Sequence, residues 1–314
     1  EIKKAILIRA VEEKLLELFR KGKLNGTVHT CVGQEFSGVF ISKYLDLNDH
    51  IVSNHRGHGH YLSRFNDIKG LIGEVMGKTK GCSGGIGGSQ QMINNNYISN
   101  GILGGIIPTA AGIALSYKIS NTNEISIAYI GDGTLGEGVI YETFNIASKW
   151  KLPLLIVMEN NRYAQSTSSN QTFSGNLSKR VEGFGLKYFQ TNTFDISDLD
   201  QTSEAAVNYV RINSQPAFIE INTYRLNAHS KGDDNRSLSE IDTYRSKDLL
   251  TTILNTNNGD FSTYYNQIND DINKIVNELE NSTSLLKIKP LKNNSLHKKK
   301  IVKGLNPNIE NHER

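Results

Sequence analysis

The chain has 314 residues with 35 basic and 32 acidic side chains, a net charge of +3, so bulk charge gives no reason to expect a nucleic-acid partner. That length is enough for one large or two modest domains with a real core, and 37% hydrophobic against 21% charged residues is an ordinary globular balance. Two cysteines, Cys31 and Cys82, make no disulfide framework and lead us to expect a reduced, cytoplasmic compartment; no run is long enough to span a membrane and no signal peptide is visible.

Ile8, Val11, Leu15, Leu18 and Phe19 recur at helical spacing, predicting an amphipathic helix over residues 2–20 that Gly22 and Asn25-Gly26 end. A second helix is predicted from Glu35 to Leu45. After a short apolar run at 51–52, the stretch 51–64 places His55, Arg56, His58 and His60 within six residues, a basic cluster suited to an anion. Three close histidines could instead bind zinc, but no cysteine or carboxylate nearby completes a tetrahedral set. Residues 77–89 form a glycine-rich loop without Walker spacing, read either as a mobile connection or as a cover for a ligand entrance. Small residues over 97–117 let a helix starting near Pro108 pack closely.

Ile125–Ile130 reads as a buried strand broken by Gly131-Asp132-Gly133; a helix follows from about Glu137 to Trp150, and Pro153 leads into a second apolar run, Leu154–Met158, ending at Asn160-Asn161. In a parallel βαβ unit both polar motifs sit at carboxyl ends of strands, where such sheets bind ligands. A carboxylate from Asp132 and an amide oxygen from Asn161 could touch one small hard cation, which suits Mg²⁺. Further strands are predicted at 186–192 and 217–222 with a helix over 196–212 between them. Residues 247–286 carry scattered helical spacing, predicting one or two peripheral helices, and Lys287–Lys303 holds seven lysines and no acid, a solvated tail or linker.

GDG followed after about 26 residues by NN, between two strand-like runs, resembles the thiamine diphosphate signature. The wider stretch GDGTLGEG to ENNRYAQST, with HTCVGQE at 29–35, HRGHG at 55–59, GILGGIIPTAAG at 101–112 and TYRLNAHS at 223–230, resembles the α subunit of the E1 component of 2-oxo acid dehydrogenases over about residues 5–245. The resemblance implies an α/β thiamine diphosphate-binding fold, a mostly parallel central sheet with helices on both faces. It implies thiamine diphosphate and Mg²⁺ as cofactors, with Asp132, Asn161 and the backbone carbonyl of Tyr163 on the metal. Gly133 and Thr134 would meet the diphosphate, His55, Arg56 and His229 would bond its oxygens, and backbone near Gly101 and Leu103 would meet the aminopyrimidine ring. His58 and His229 become acid/base candidates, His29 a substrate-positioning one, and His60 receives no chemical role. His55 stands where the family has tyrosine, Ile86 where it has lysine, Gln91 where it has histidine, and Ala228 where it has glycine. KGDDNRS replaces the family's SDP stretch, which puts phosphorylation control in doubt.

The glutamate that activates the pyrimidine comes, in this family, from a β-type chain, and no matching motif is present here. The expected partners are therefore a β-type E1 chain or a fused β domain in an α2β2 arrangement, a lipoyl domain of an E2 acyltransferase and a 2-oxo acid substrate, with neither nucleic acid nor membrane. The expected organisation is a cofactor domain over 1–245, a helical segment over 246–286 and a basic tail over 287–314. A transketolase-like sugar enzyme and a non-catalytic scaffold are the alternatives.

Overall fold

The structure, a computed structural model, describes residues 1–285 except 25, 231, 233, 257 and 258. The basic stretch from Lys287 lies outside the described residues. Nine strands form in chain order: β1 (His50–Ser53), β2 (Ile93–Asn94), β3 (Tyr97–Ser99), β4 (Ser126–Gly131), β5 (Leu154–Asn160), β6 (Tyr163–Ala164), β7 (Thr167–Ser168), β8 (Lys187–Asn192) and β9 (Ala217–Asn222). Seven make the central sheet in the order β2-β3-β1-β4-β5-β9-β8, parallel except for β2, while β6 and β7 form a small hairpin. The helices are α1 (Ile2–Arg20), α2 (Glu35–Lys43), α3 (His58–Phe65), α4 (Ile68–Val75), α5 (Leu103–Ser120), α6 (Gly138–Trp150), α7 (Ser169–Thr172), α8 (Leu177–Gly183), α9 (Ile196–Asn213), α10 (Leu238–Arg245), α11 (Leu249–Asn255) and α12 (Gly259–Glu280).

The central strands β4 and β5 are apolar over most of their length because both faces of the sheet are covered there, whereas edge strand β8 is partly polar and exposed. Ile127 and Tyr129 of β4 join a core with Ile6, Val11, Ile41, Val207 and Leu279, whereas their neighbours Ala128 and Ile130 join a second core with Ile107, Ala110, Ile140 and Phe144. The period-two alternation of a strand thus sorts one sequence run into two cores, one under α1, α2, α9 and α12, the other under α5, α6 and α8. This is the expected α/β fold, a mostly parallel sheet between helical layers.

Helix α5 starts at Leu103 rather than near Pro108. Proline at the sixth helical position forfeits one backbone bond, yet the helix runs through it, since the apolar side chains on either side are buried. Gly104 admits the close approach: a Cβ there would lie 3.0 Å from Val139 and closer still to the Glu137 carboxylate. Helices α11 and α12 lie on the outside, but Leu250, Ile272, Val276 and Leu279 belong to the core that holds α1. Asp248 caps α11 through Thr251 N–H and pairs with Arg9 Nη1 at 3.1 Å; Arg9 also binds Glu35. The glycine-rich loop is pinned at its base: backbone N–H groups of Ser83, Gly85, Gly87 and Gly88 all donate to the buried Glu74 carboxylate at 2.6–3.3 Å. Both cysteines are free thiols, and no helix among the described residues is long and apolar enough to cross a membrane.

Candidate active site

Five parallel strands end around one cavity of about 410 Å³. The order of the sheet reverses at β1 and β4, with β3 on one side and β5 on the other, and this crevice is where open α/β sheets bind ligands. The turn after β1 supplies Asn54, His55 and Arg56; the lead-in after β3 supplies Gly101 and Leu103; the turn after β4 supplies Asp132, Gly133 and Thr134; the loop after β5 supplies Asn161 and Tyr163; the segment after β9 supplies His229. Gly131 of β4 pairs in register with Glu159 of β5, so Asp132 and Asn161 leave neighbouring strand ends on the same edge. His29 and Gln34 enter from the connection between α1 and α2.

The cavity wall holds polar atoms that the fold itself leaves without partners among the described residues. Asp132 Oδ2, Thr134 Oγ1, Gln34 Nε2 and both ring nitrogens of His55 are buried without a hydrogen bond. Each would cost free energy if left so, and their convergence on one cavity, where five of the unpartnered atoms gather, suits a ligand or ion. Burial pushes the Asp132 carboxyl up to about 6, partly offset by its own and Gly133's backbone N–H and by Arg225. A desolvated carboxylate with a free oxygen, beside an amide, is a hard donor set that suits Mg²⁺. Gly133 lies so close to the next loop that a Cβ would come within 2.6 Å of Ala164 Cβ, which keeps backbone exposed at the cavity.

The opposite wall is cationic. Arg56 is buried and donates to Thr30 O at 2.6 Å and to His229 Nδ1 at 3.3 Å; Arg225 Nη1 reaches the same Nδ1 at 3.3 Å. A guanidinium only donates, so His229 Nδ1 accepts and, in the neutral ring, the proton sits on Nε2. The Gln90 amide fixes His29 in the same sense, donating to its Nδ1 at 3.2 Å. His29, His55 and His229 gather with ring centroids 4.8–5.4 Å apart, and their nitrogens could close on a metal. Two guanidiniums on His229 make that corner repel a cation and attract an anion instead. Burial, Arg56 and the neighbouring imidazoles hold His55 neutral by lowering its pKa to about 2.

The structure does not bring His58 to the cavity. It sits fully buried in the first turn of α3, with Nδ1 2.9 Å from Glu12 Oε2 and Nε2 3.1 Å from Ser89 O, so it braces α1 and the end of the glycine-rich loop rather than facing a reacting centre. His60 is also turned inward: Nε2 lies 3.1 Å from Glu159 Oε1, Ser53 Oγ lies 2.7 Å from Nδ1, and the ring stacks on Tyr129 at 3.6 Å. The remaining candidates, His29, His55, Arg56, Gly101, Leu103, Asp132, Gly133, Thr134, Asn161, Tyr163 and His229, all line the cavity. Gln90 and Glu159 line it too and carry no signal in sequence, and Gln34 stands out only as part of GQE, because their roles arise from contacts across the fold. Arg225, in the TYR of TYRLNAHS, was legible only as part of that motif.

The dehydrogenase E1 component family matches residues 3–284 of the chain. The chain is 36% identical over 257 residues to the pyruvate dehydrogenase E1 component subunit alpha of Rickettsia bellii (strain RML369-C), covering 80% of this chain and 79% of that one. It is 34% identical to the protein of that name from Rhizobium meliloti (strain 1021), covering 77% of this chain and 69% of the other. It is 31% identical to the testis-specific mitochondrial form from Rattus norvegicus, covering 87% and 71%. With the strand-end cavity and these matches together, the chain belongs to the dehydrogenase E1 component family as an α-type chain, an enzyme component of the thiamine diphosphate-dependent 2-oxo acid dehydrogenases.

Proposed function

We propose that the cavity holds the diphosphate end of thiamine diphosphate with Mg²⁺, and that the chain is the α-type half of an enzyme that oxidatively decarboxylates a 2-oxo acid and passes the acyl group to a lipoyl group. Pyruvate is the first substrate to try, because the relatives carry its name. The observation that carries the reading is the buried, unpartnered Asp132 Oδ2 and Thr134 Oγ1 beside Asn161, where one wall offers hard oxygen ligands and the other offers cations. Asp132, Asn161 and the Tyr163 carbonyl would hold the metal. Gly133 and Thr134 would meet the diphosphate, with Arg56 and the neutral ring of His55 adding donors. Gly101 and Leu103 would border the aminopyrimidine.

Thiamine diphosphate, when bound, supplies the nucleophilic carbon and the electron sink that loss of CO₂ requires. The chain's own contribution is positioning and charge. Arg56 and Arg225 hold His229 through its Nδ1, and Gln90 holds His29 in the same way. By this reading these two histidines orient the substrate carboxylate and are the acid/base candidates of the site. A β-type chain would supply the activating glutamate and cover the face of α5, which exposes Thr109, Gly112, Ser116 and Ile119 to solvent. By this reading residues 1–245 carry the site and the segment 246–286 is peripheral to it, and neither nucleic acid nor membrane is a partner.

The test is calorimetric titration of thiamine diphosphate with and without Mg²⁺, followed by assays of the chain with a β-type partner on pyruvate, a branched 2-oxo acid and a sugar phosphate. Mg²⁺-dependent binding, and 2-oxo acid turnover that needs the partner, are expected. Turnover of sugar phosphate alone, or no cofactor binding, would overturn the reading.

A further inference from the structure

The Tyr163 backbone N–H and the side chains of Asn161 and Gln34 form a directional relay. Tyr163 N–H donates to Asn161 Oδ1 at 3.1 Å, and a backbone N–H only donates, so this contact fixes which end of the Asn161 amide is oxygen. Asn161 Nδ2 therefore faces Gln34 and donates to Gln34 Oε1 at 3.1 Å. That in turn fixes the Gln34 amide and leaves its Nε2 as the outward end of the relay. Nε2 is buried, has no hydrogen-bond partner among the described residues, and belongs to a side chain that lines the cavity and is 2% exposed. The backbone behind Gln34 is equally constrained. Gly33 has φ +94° and its N–H donates to Glu35 Oε2 at 3.0 Å, while a Cβ at Gly33 would strike Tyr224 O. Gln34 itself sits at the N-cap of α2, and Ser37 Oγ donates to its carbonyl at 2.9 Å.

We propose that Gln34 is a ligand-binding and positioning residue: its Oε1 holds the Asn161 amide so that Oδ1 keeps its place for the metal, and its Nε2–H₂ donates to an anionic oxygen in the cavity. An unsatisfied buried N–H₂ in a cavity that Arg56 also lines donates to an acceptor and repels a cation, so an anionic oxygen matches it best. The oxyanion has two sources, the diphosphate of the cofactor and the carboxylate of the 2-oxo acid. This inference rests on the cofactor reading above and adds a residue to it.

Gln34→Glu keeps an acceptor for Asn161 and replaces the donor by a negative oxygen. Gln34→Met removes both functions at similar length. In the assembled enzyme, thiamine diphosphate binding is measured by calorimetry, Mn²⁺ in place of Mg²⁺ by electron paramagnetic resonance, and KM and kcat with pyruvate. Gln34→Glu is expected to leave Mn²⁺ affinity within about twofold and to weaken anion binding by about tenfold or more, the scale of one hydrogen bond to a charged group. A rise in cofactor Kd assigns the diphosphate; a rise in KM at unchanged cofactor Kd assigns the carboxylate. Gln34→Met is expected to weaken Mn²⁺ as well, and it serves alone if Gln34→Glu does not fold. Cofactor Kd, KM and Mn²⁺ affinity all within twofold of wild type in a folded variant would overturn the proposal. Failure of the wild-type enzyme to bind thiamine diphosphate in the same titration would instead overturn the reading beneath it.

Discussion

Glu12 and Asp132 are both buried acids, and they stand in opposite electrostatic conditions. Glu12 accepts from Cys31 N–H at 2.8 Å and pairs with His58 at 2.9 Å. Its complete burial raises its pKa, but His58 and the Cys31 N–H outweigh that and hold it below the ordinary carboxylate value. Asp132 has one oxygen without a partner among the described residues, and burial pushes its carboxyl up to about 6. The same division runs through the molecule. Arg9, Glu35 and Asp248 saturate one another behind the sheet edge, whereas His55, Thr134 and Gln34 at the edge do not. Single unpartnered hydroxyls also occur elsewhere in the fold, at Ser42, Ser63 and Ser203, but only at the cavity do several open polar atoms from different strand ends converge, and there a ligand would complete the structure.

The sharpest way to break this comparison is to remove each acid. Asp132→Ala should abolish detectable Mg²⁺-dependent thiamine diphosphate binding by calorimetry while making the ligand-free chain no less stable, and above pH 6 more so. The sign follows from the raised pKa. The folded state holds the proton more tightly than the unfolded chain, so the destabilising charge appears as pH rises from the ordinary value of 3.8 to about 6 and is full above that. Unchanged affinity would remove Asp132 from the metal site.

His229→Ala should lower turnover by about 10²-fold, the scale of a positioned acid/base group, with a smaller effect on cofactor affinity. Turnover with a 2-oxo acid and an artificial electron acceptor checks it, and a near-normal rate would reduce His229 to a brace for Arg56 and Arg225.

Glu12→Ala should act the other way from Asp132→Ala. It strands a buried His58 and should cost about 3 kcal/mol in urea unfolding at pH 7, the range for breaking one side of a buried pair. Because the Glu12 pKa is depressed in the fold, its contribution is complete above the ordinary value of 4.5 and fades as pH falls below it, so wild type and variant should converge in acid. Stabilisation by Glu12→Ala at neutral pH would defeat the distinction between satisfied and open acids.

The smallest expected effect is at Gly133→Ala, where the added Cβ must displace the Ala164 loop. About a tenfold rise in cofactor Kd is expected, whereas Gly136→Ala, with open space around its Cβ position, should bind as wild type. Equal titrations for the two would mean that the 163–165 loop yields freely.

Much of the fold was legible because apolar runs and glycine breaks are local signals. Ile125–Ile130 and Leu154–Met158 announced β4 and β5, and the spacing of GDG and NN put Asp132 and Asn161 at neighbouring strand ends. The division of labour within HRGHGH was not legible. His55 lies before α3 and meets the cavity, while His58 and His60 lie inside it and turn toward Glu12 and Glu159. Which way a helix faces is decided by partners distant in sequence, here Glu12 of α1, 46 residues before His58, and Glu159 of β5, 99 residues after His60. Pro108 misled for a related reason: its local cost is real, but burial of its neighbours outweighs it. Gln34 carried no signal beyond its place in GQE, since its meaning lies in an amide on β5's far loop.

Asp248 sets a limit on where this polypeptide tolerates a break. Its carboxylate ties the cap of α11 to Arg9, Arg9 ties to Glu35, and Glu35 holds Gly33, the residue before Gln34. Ending the chain near 245 would leave Arg9 sharing its charge with a single acid and would loosen the turn on which Gln34 stands. A module transplanted by its motifs alone, from the first helix to TYRLNAHS, would therefore carry every recognisable cofactor residue and still lack the clamp that keeps one of them in register. The useful excision point lies past Glu280, where α12 has finished packing against α1.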